Sequence, residues 1–182
     1  TPDQHSEFLD FYQRHNYAVL SDAFGAAELR FLNDFVDSSM QQIPLEWKPA
    51  IENVSSHGQI AVYHPEVDPY LQHPAAFPLI AAIMGREEVR FAQFDFRDVP
   101  RGVGDTPMQF HRDRGFYPPA GTTAKNDLFA ETNYLCVIHY LSDVNEDDPC
   151  FCVVPNSHCQ AYGSHEQAKE QMGDTYLEVP IR

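Results

Sequence analysis

The sequence predicts an α+β chain with a mainly β core, built as a β-sandwich or a jelly roll. Three observations predict it. Amphipathic helical patterns occupy the N-terminal half. Apolar, strand-like runs follow them, and Pro- and Gly-rich loops of uneven length join those runs. At 182 residues the chain fits one domain, 1–182, large enough to bury a real core. No repeat, linker or low-complexity segment divides it. Thirteen Phe and nine Tyr suit a packed core or a lined pocket.

Taken in order, Glu7 to Arg14 reads as a short amphipathic helix, with Phe8, Leu9, Phe11 and Tyr12 at helical spacing. Asn16 breaks the pattern, and Tyr17 to Leu20 reads as a brief buried strand. A second helix begins near Gly25. Glu28 lies in its first turn, where the positive end of the helix dipole favours a carboxylate, and Leu29, Leu32, Phe35 and Val36 mark its buried face. Pro44 bounds it. Ile43 to Val67 is a polar, Pro-interrupted excursion with one strand expected at Gln59 to Tyr63. Pro74 and Pro78 flank the start of a third helix through Leu79, Ile80, Ile83 and Met84, which Gly85 ends. Beyond it, Val89, Phe91, Phe94 and Phe96 read as strand-like. Tyr134 to Leu141 is a strong strand pattern and Phe151 to Val154 a short one.

Acidic residues outnumber basic ones by 27 to 12, a formal charge of −15. Affinity for phosphate backbones or anionic membranes needs clustered Lys and Arg, and no cluster is present. Nucleic acid and membrane are therefore excluded as expected partners. No run approaches the roughly 20 apolar residues that span a bilayer, and no signal-peptide pattern opens the chain. Thr1 rather than Met comes first, so a trimmed N-terminus is expected. Cys136, Cys150, Cys152 and Cys159 are too few and too clustered for a disulfide scaffold. Reduced thiols and a cytoplasmic location are expected.

The chemistry-bearing stretch is Met108-Gln109-Phe110-His111-Arg112-Asp113. In an extended strand, side chains at i and i+2 share a face. His111 and Asp113 then project together. An imidazole and a carboxylate, with one further histidine, form the facial triad of non-haem iron(II) oxygenases. Three coordination positions stay open, two for a chelating 2-oxo acid and one for O2. Taken by itself the triplet is weak, and a charged surface loop is then the better account of it. The kinase catalytic loop also contains His-Arg-Asp, but it needs an Asn five residues after the Asp, where this chain has Pro118.

Context carries more weight than the triplet. Downstream runs Thr132-Asn133-Tyr134-Leu135-Cys136-Val137-Ile138-His139-Tyr140-Leu141-Ser142-Asp143-Val144, then an acidic turn, then Phe151-Cys152-Val153-Val154-Pro155-Asn156-Ser157-His158. This order resembles the phytanoyl-CoA dioxygenase family. There a His-x-Asp triplet is followed by a strand ending near Leu-x-Asp-Val and by another ending in Val-Pro-Gly-Ser-His. The opening Asn16-Tyr17-Ala18-Val19-Leu20 and the helix ending Ile83-Met84-Gly85 resemble the family's N-terminal part, so the likeness covers nearly the whole chain. Asn16 and Asn156 stand where the family favours Gly. Asn is the residue that best tolerates the left-handed backbone such positions require. Pro149 replaces a turn Gly.

The resemblance implies a double-stranded β-helix (cupin-like jelly roll) with the N-terminal helices packed outside. It implies iron(II), 2-oxoglutarate as cosubstrate and O2, and hydroxylation of an unactivated C–H bond of a small-molecule substrate with release of succinate and CO2. His111 and Asp113 are the implied metal ligands, and no catalytic residue beyond the metal ligands is expected. Gln93, Gln109 and Asn133 are the implied cosubstrate- or substrate-pocket residues. Related halogenases replace the carboxylate with a small residue, so Asp113 implies hydroxylation. The family's third ligand, a distal His, and the Arg that grips 2-oxoglutarate are expected beyond Arg182, with the last strands of the jelly roll.

Other histidines are weighed beside these. His158 and His165 are the in-chain alternatives for the third ligand, and His158 matches a histidine that is structural in the family. His139 reads as a buried, satisfied histidine. His5, His15, His57, His64 and His73 lie in the N-terminal half without a carboxylate partner in a context that marks a metal site, and read as surface residues. Cys150, Cys152, His158 and Cys159 lack the spacing of a zinc ribbon or knuckle. Arg97 reads as a surface ion-pair residue rather than an anion site. Two other classes remain open: a non-catalytic binding module with an incomplete metal site, and a cupin-like metal-dependent hydrolase or isomerase.

Overall fold

A computed structural model describes residues 2–51, 54–58, 60–85, 88–91, 93–100, 110–111, 134–159, 162 and 164–182. Helix α1, Pro2–His15, ends where the periodic apolar pattern ends. Asn16 follows at φ 59°, and its N–H bonds the Tyr12 carbonyl at 2.7 Å. The chain then runs to α2, Ala26–Gln42, without the strand expected at Tyr17 to Leu20. Val19 and Leu20 are exposed there, and a strand without a ladder partner has no backbone bonds to hold it.

Helix α2 begins as its sequence signals. The Glu28 carboxylate turns back to accept the Gly25 N–H at 2.7 Å, which satisfies one of the donors a helix start leaves open. Its inner stripe carries Leu32 and Ser39, both buried, with Phe35, Val36 and Met40 packed beside them. Pro44, which has no N–H, follows the last turn.

The excursion after α2 is more ordered than its polarity suggests. Strands β1 (Lys48–Ile51), β2 (Val54–His57) and β3 (Phe96–Asp98) form an antiparallel sheet in that order, with Ser56 opposite both Lys48 and Arg97. The strand expected at Gln59 to Tyr63 is instead a helical turn, α3, Ile60–Tyr63. Four apolar residues do not distinguish a buried strand from a buried helical turn. A 3-10 turn (Pro65–Val67) leads into α4, Asp68–Leu71. Helix α5, Phe77–Met84, closes at Gly85, whose φ of 63° is left-handed and suits glycine.

In the C-terminal part, β4 (Phe151–Val153) pairs antiparallel with β5 (Val179–Ile181), Phe151 opposite Ile181. A 3-10 turn, Ser157–Cys159, and helix α6, His165–Met172, lie between them in sequence. Tyr134 to Leu141, expected as a strand, joins no ladder among the described residues. The described residues thus form an α+β chain with two small antiparallel sheets, and they do not by themselves assemble a jelly roll.

The core unites the N-terminal elements. Leu32, Trp47, Ile60, Val67 and Phe96 form its buried centre, and Leu141 packs against it. Trp47 Nε1 donates to Ser39 Oγ at 3.1 Å, so the buried indole keeps a partner. Asn33 Nδ2 donates to the Leu29 and Leu141 carbonyls, both at 2.8 Å, which fixes the 134–141 segment to α2. No described helix is long and apolar enough to cross a membrane.

Candidate functional site

His111 is exposed, and the adjacent Phe110 is half-buried. This is the division expected of neighbours in an extended chain. Phe110 lies flat on the imidazole of His165, the first residue of α6, with centroids 5.0 Å apart and planes 8° from parallel. Ser164 caps that helix by accepting the Gln167 N–H at 3.2 Å. The His165 ring is also held at its edge. Tyr176 Oη lies 3.3 Å from Nε2 and 3.4 Å from Nδ1, and the hydroxyl donates to Glu178 Oε1 at 2.8 Å. Burial first, then the bond to Glu178, raises the Tyr176 pKa, so this phenol stays protonated and donating. Lys169 Nζ sits 5.5 Å above the Tyr176 ring.

Asp113, Gln109 and Asn133 lie outside the described residues. Gln93 is exposed, and its Nε2 donates to Asp95 Oδ2. Among the described residues no three His, Cys, Asp or Glu side chains come together to hold a metal. The donor chemistry of the triplet nevertheless fits iron(II): an exposed imidazole with a carboxylate two residues on is two-thirds of the set that suits this ion.

The histidines considered as alternatives are placed differently. His165 is engaged by Phe110 and Tyr176. His158 is half-buried on the 3-10 turn. His139 is half-buried against the Phe24 ring, 4.8 Å away, and burial, followed by the electrostatic effect of nearby His73, lowers its pKa. Expected as buried and satisfied, it is half-buried and packed on an aromatic ring.

Two histidines expected at the surface are buried, against partners that no local spacing signals. His73 Nδ1 accepts the Ala75 N–H at 3.3 Å, so Nε2 carries the proton and donates to Glu28 Oε1 at 3.0 Å. His57 Nδ1 donates to the Gly58 carbonyl at 3.0 Å, and Nε2 approaches Glu46 Oε2 at 3.0 Å without hydrogen-bond alignment. Only the fold brings Glu28 and Glu46 to these rings. His64, half-buried, lies 3.3 Å from Glu66 Oε1, a pair two residues apart that the sequence does carry. Arg97 is exposed on β3. Among the described residues Cys136, Cys150 and Cys152 form no disulfide. Burial foremost, with Cys150 alongside, raises the Cys152 pKa, which disfavours its thiolate.

A family model described as phytanoyl-CoA dioxygenase matches residues 12–180, a span that includes the His111–Asp113 triplet. No curated protein and no solved structure matches the chain.

Proposed function

The chain belongs to the phytanoyl-CoA dioxygenase family, and on that premise we propose an iron(II)- and 2-oxoglutarate-dependent dioxygenase that hydroxylates an unactivated C–H bond of a small organic substrate. The observation that carries this reading is the family match running through His111-Arg112-Asp113. The proposed architecture around the site is the double-stranded β-helix, with α1, α2 and α5 outside it.

In this reading His111 and Asp113 hold iron(II). When bound, the metal with its 2-oxo acid supplies the oxidation: one atom of O2 enters succinate, the other the substrate, and CO2 leaves. His111 binds as neutral imidazole and Asp113 as carboxylate, so metal loading releases any proton either one carries. Asp113 also fills the position a halide would need, which directs the chemistry to hydroxylation. Gln93, Gln109 and Asn133 are proposed as polar contacts for the cosubstrate or substrate. With no basic cluster in the sequence, the proposed partner is a small molecule, neither nucleic acid nor membrane, and the proposed location is the cytoplasm.

The test is turnover by the intact protein supplied with iron(II), 2-oxoglutarate and O2. Succinate and CO2 should form only with all three, and His111→Ala and Asp113→Ala should abolish them. Activity with zinc and no 2-oxo acid would instead support a hydrolase or isomerase. Absence of both iron(II) binding and turnover would leave a binding module.

A further inference from the structure

Resting on the iron(II) reading above, we infer that His165 is a positioning residue for His111, acting through Phe110. Three contacts in series carry the inference. Glu178 accepts from the Tyr176 hydroxyl at 2.8 Å, Tyr176 Oη sits 3.3 Å from His165 Nε2, and the His165 ring lies parallel on Phe110 at 5.0 Å. Phe110 is bonded to His111, so a clamp on its ring restricts the peptide that carries the metal-binding imidazole. His111 itself remains exposed beside the clamped, half-buried Phe110.

The clamp is anchored at both ends. His165 is the first residue of a capped helix, and Tyr176 to Glu178 lead directly into β5. Both ring nitrogens of His165 lie within 3.4 Å of one phenolic oxygen, and a ring face lies on Phe110. The imidazole is therefore committed to holding Phe110 rather than presented to a metal. Metal ligands depend on such supporting contacts, because a site loose by a fraction of an ångström loses affinity.

The experiment compares His165→Ala, His165→Phe, Tyr176→Phe and His111→Ala in the intact protein. Iron(II) affinity is measured without O2 by competition with a chromogenic chelator, beside melting temperature and the KM and kcat for 2-oxoglutarate. His165→Ala should weaken iron(II) binding about tenfold, the scale typical of lost outer contacts to a metal site. His165→Phe keeps the flat ring on Phe110 and should recover most of that loss, while Tyr176→Phe, which frees the ring edge, should fall between. Wild-type iron(II) affinity in folded His165→Ala overturns the proposal, as does a loss in His165→Phe equal to that in His165→Ala. If His165→Ala does not fold, Tyr176→Phe decides, and wild-type affinity there overturns it. Undiminished iron(II) binding by His111→Ala would instead sink the metal assignment itself, so the two failures are distinct.

Discussion

Glu28 Oε1 and His73 Nε2 meet at 3.0 Å across 45 residues of sequence, while the other oxygen of the same carboxylate caps α2 through the Gly25 N–H. One side chain thus serves the start of a helix and the turn before α5. The bond from Gly25, and after it the bond from His73, lowers the Glu28 pKa below its ordinary 4.5. A depressed acid contributes its full stability above the unfolded-state value and loses it as pH falls through the folded-state value. Glu28→Gln should therefore melt lower than wild type at neutral pH and show a shallower loss of stability below pH 4.5. Parallel slopes in thermal melts across the acid range would refute this account. Glu28→Ala and His73→Ala should also be non-additive, because each removes the partner of the other.

His139 gives the opposite end of the same neighbourhood a pH response of its own. Its pKa is lowered from 6.5 by burial, then by His73. As pH falls through 6.5 the unfolded chain takes up this proton first, so stability declines until the folded-state value is passed. His139→Gln should flatten that part of the curve, read as melting temperature against pH. A curve identical to wild type would count against the assignment.

Trp47 is the single tryptophan of the chain, and its Nε1–H ends on Ser39 Oγ in the core. Ser39→Ala leaves a buried donor without its partner and should cost about 1–3 kcal/mol. Urea unfolding followed by Trp47 fluorescence measures it directly. A change well under 1 kcal/mol would mean that another acceptor takes over the indole.

Asn16 and Asn156 hold φ values of 59° and 62°. Ala at either position should cost about 1–2 kcal/mol, because its Cβ meets the carbonyl in the left-handed region. Gly should be close to neutral. Equal denaturation midpoints for the Ala and Gly variants would contradict the backbone argument.

These two asparagines mark what the sequence made legible. Each stands where the family resemblance puts glycine, and each takes the left-handed backbone that this implies. Helices α1, α2 and α5 were readable because their apolar spacing and boundary residues act locally: Glu28 caps within its own turn and Gly85 closes its own helix. Strand β4 was readable as a short apolar run. The hairpin of β1 and β2 was not, since Val54-Ser55-Ser56-His57 lacks the alternation that marks a strand and is held by its neighbours. At Ile60–Tyr63 and Tyr134 to Leu141 apolar content suggested strands, yet a strand is defined by partners that the local run does not encode. Of the site, the His-x-Asp pattern was plain from spacing. The Phe110–His165 stack and the buried His57 and His73 depended on approaches between distant segments, which no spacing reveals.

One phenolic oxygen sets the alignment of the C-terminal sheet. Tyr140 Oη accepts the Phe151 N–H and donates to the Ile181 carbonyl, both at 2.8 Å, and Phe151 and Ile181 are the residues that face each other across β4 and β5. A side chain from outside the sheet thus completes one rung of the ladder by bridging its two strands. Sliding β5 by a single residue would carry the Ile181 carbonyl away from this oxygen and turn every β5 side chain to the opposite face. Tyr140 therefore works as a ratchet pawl, and β5 has one seat in which it can lock.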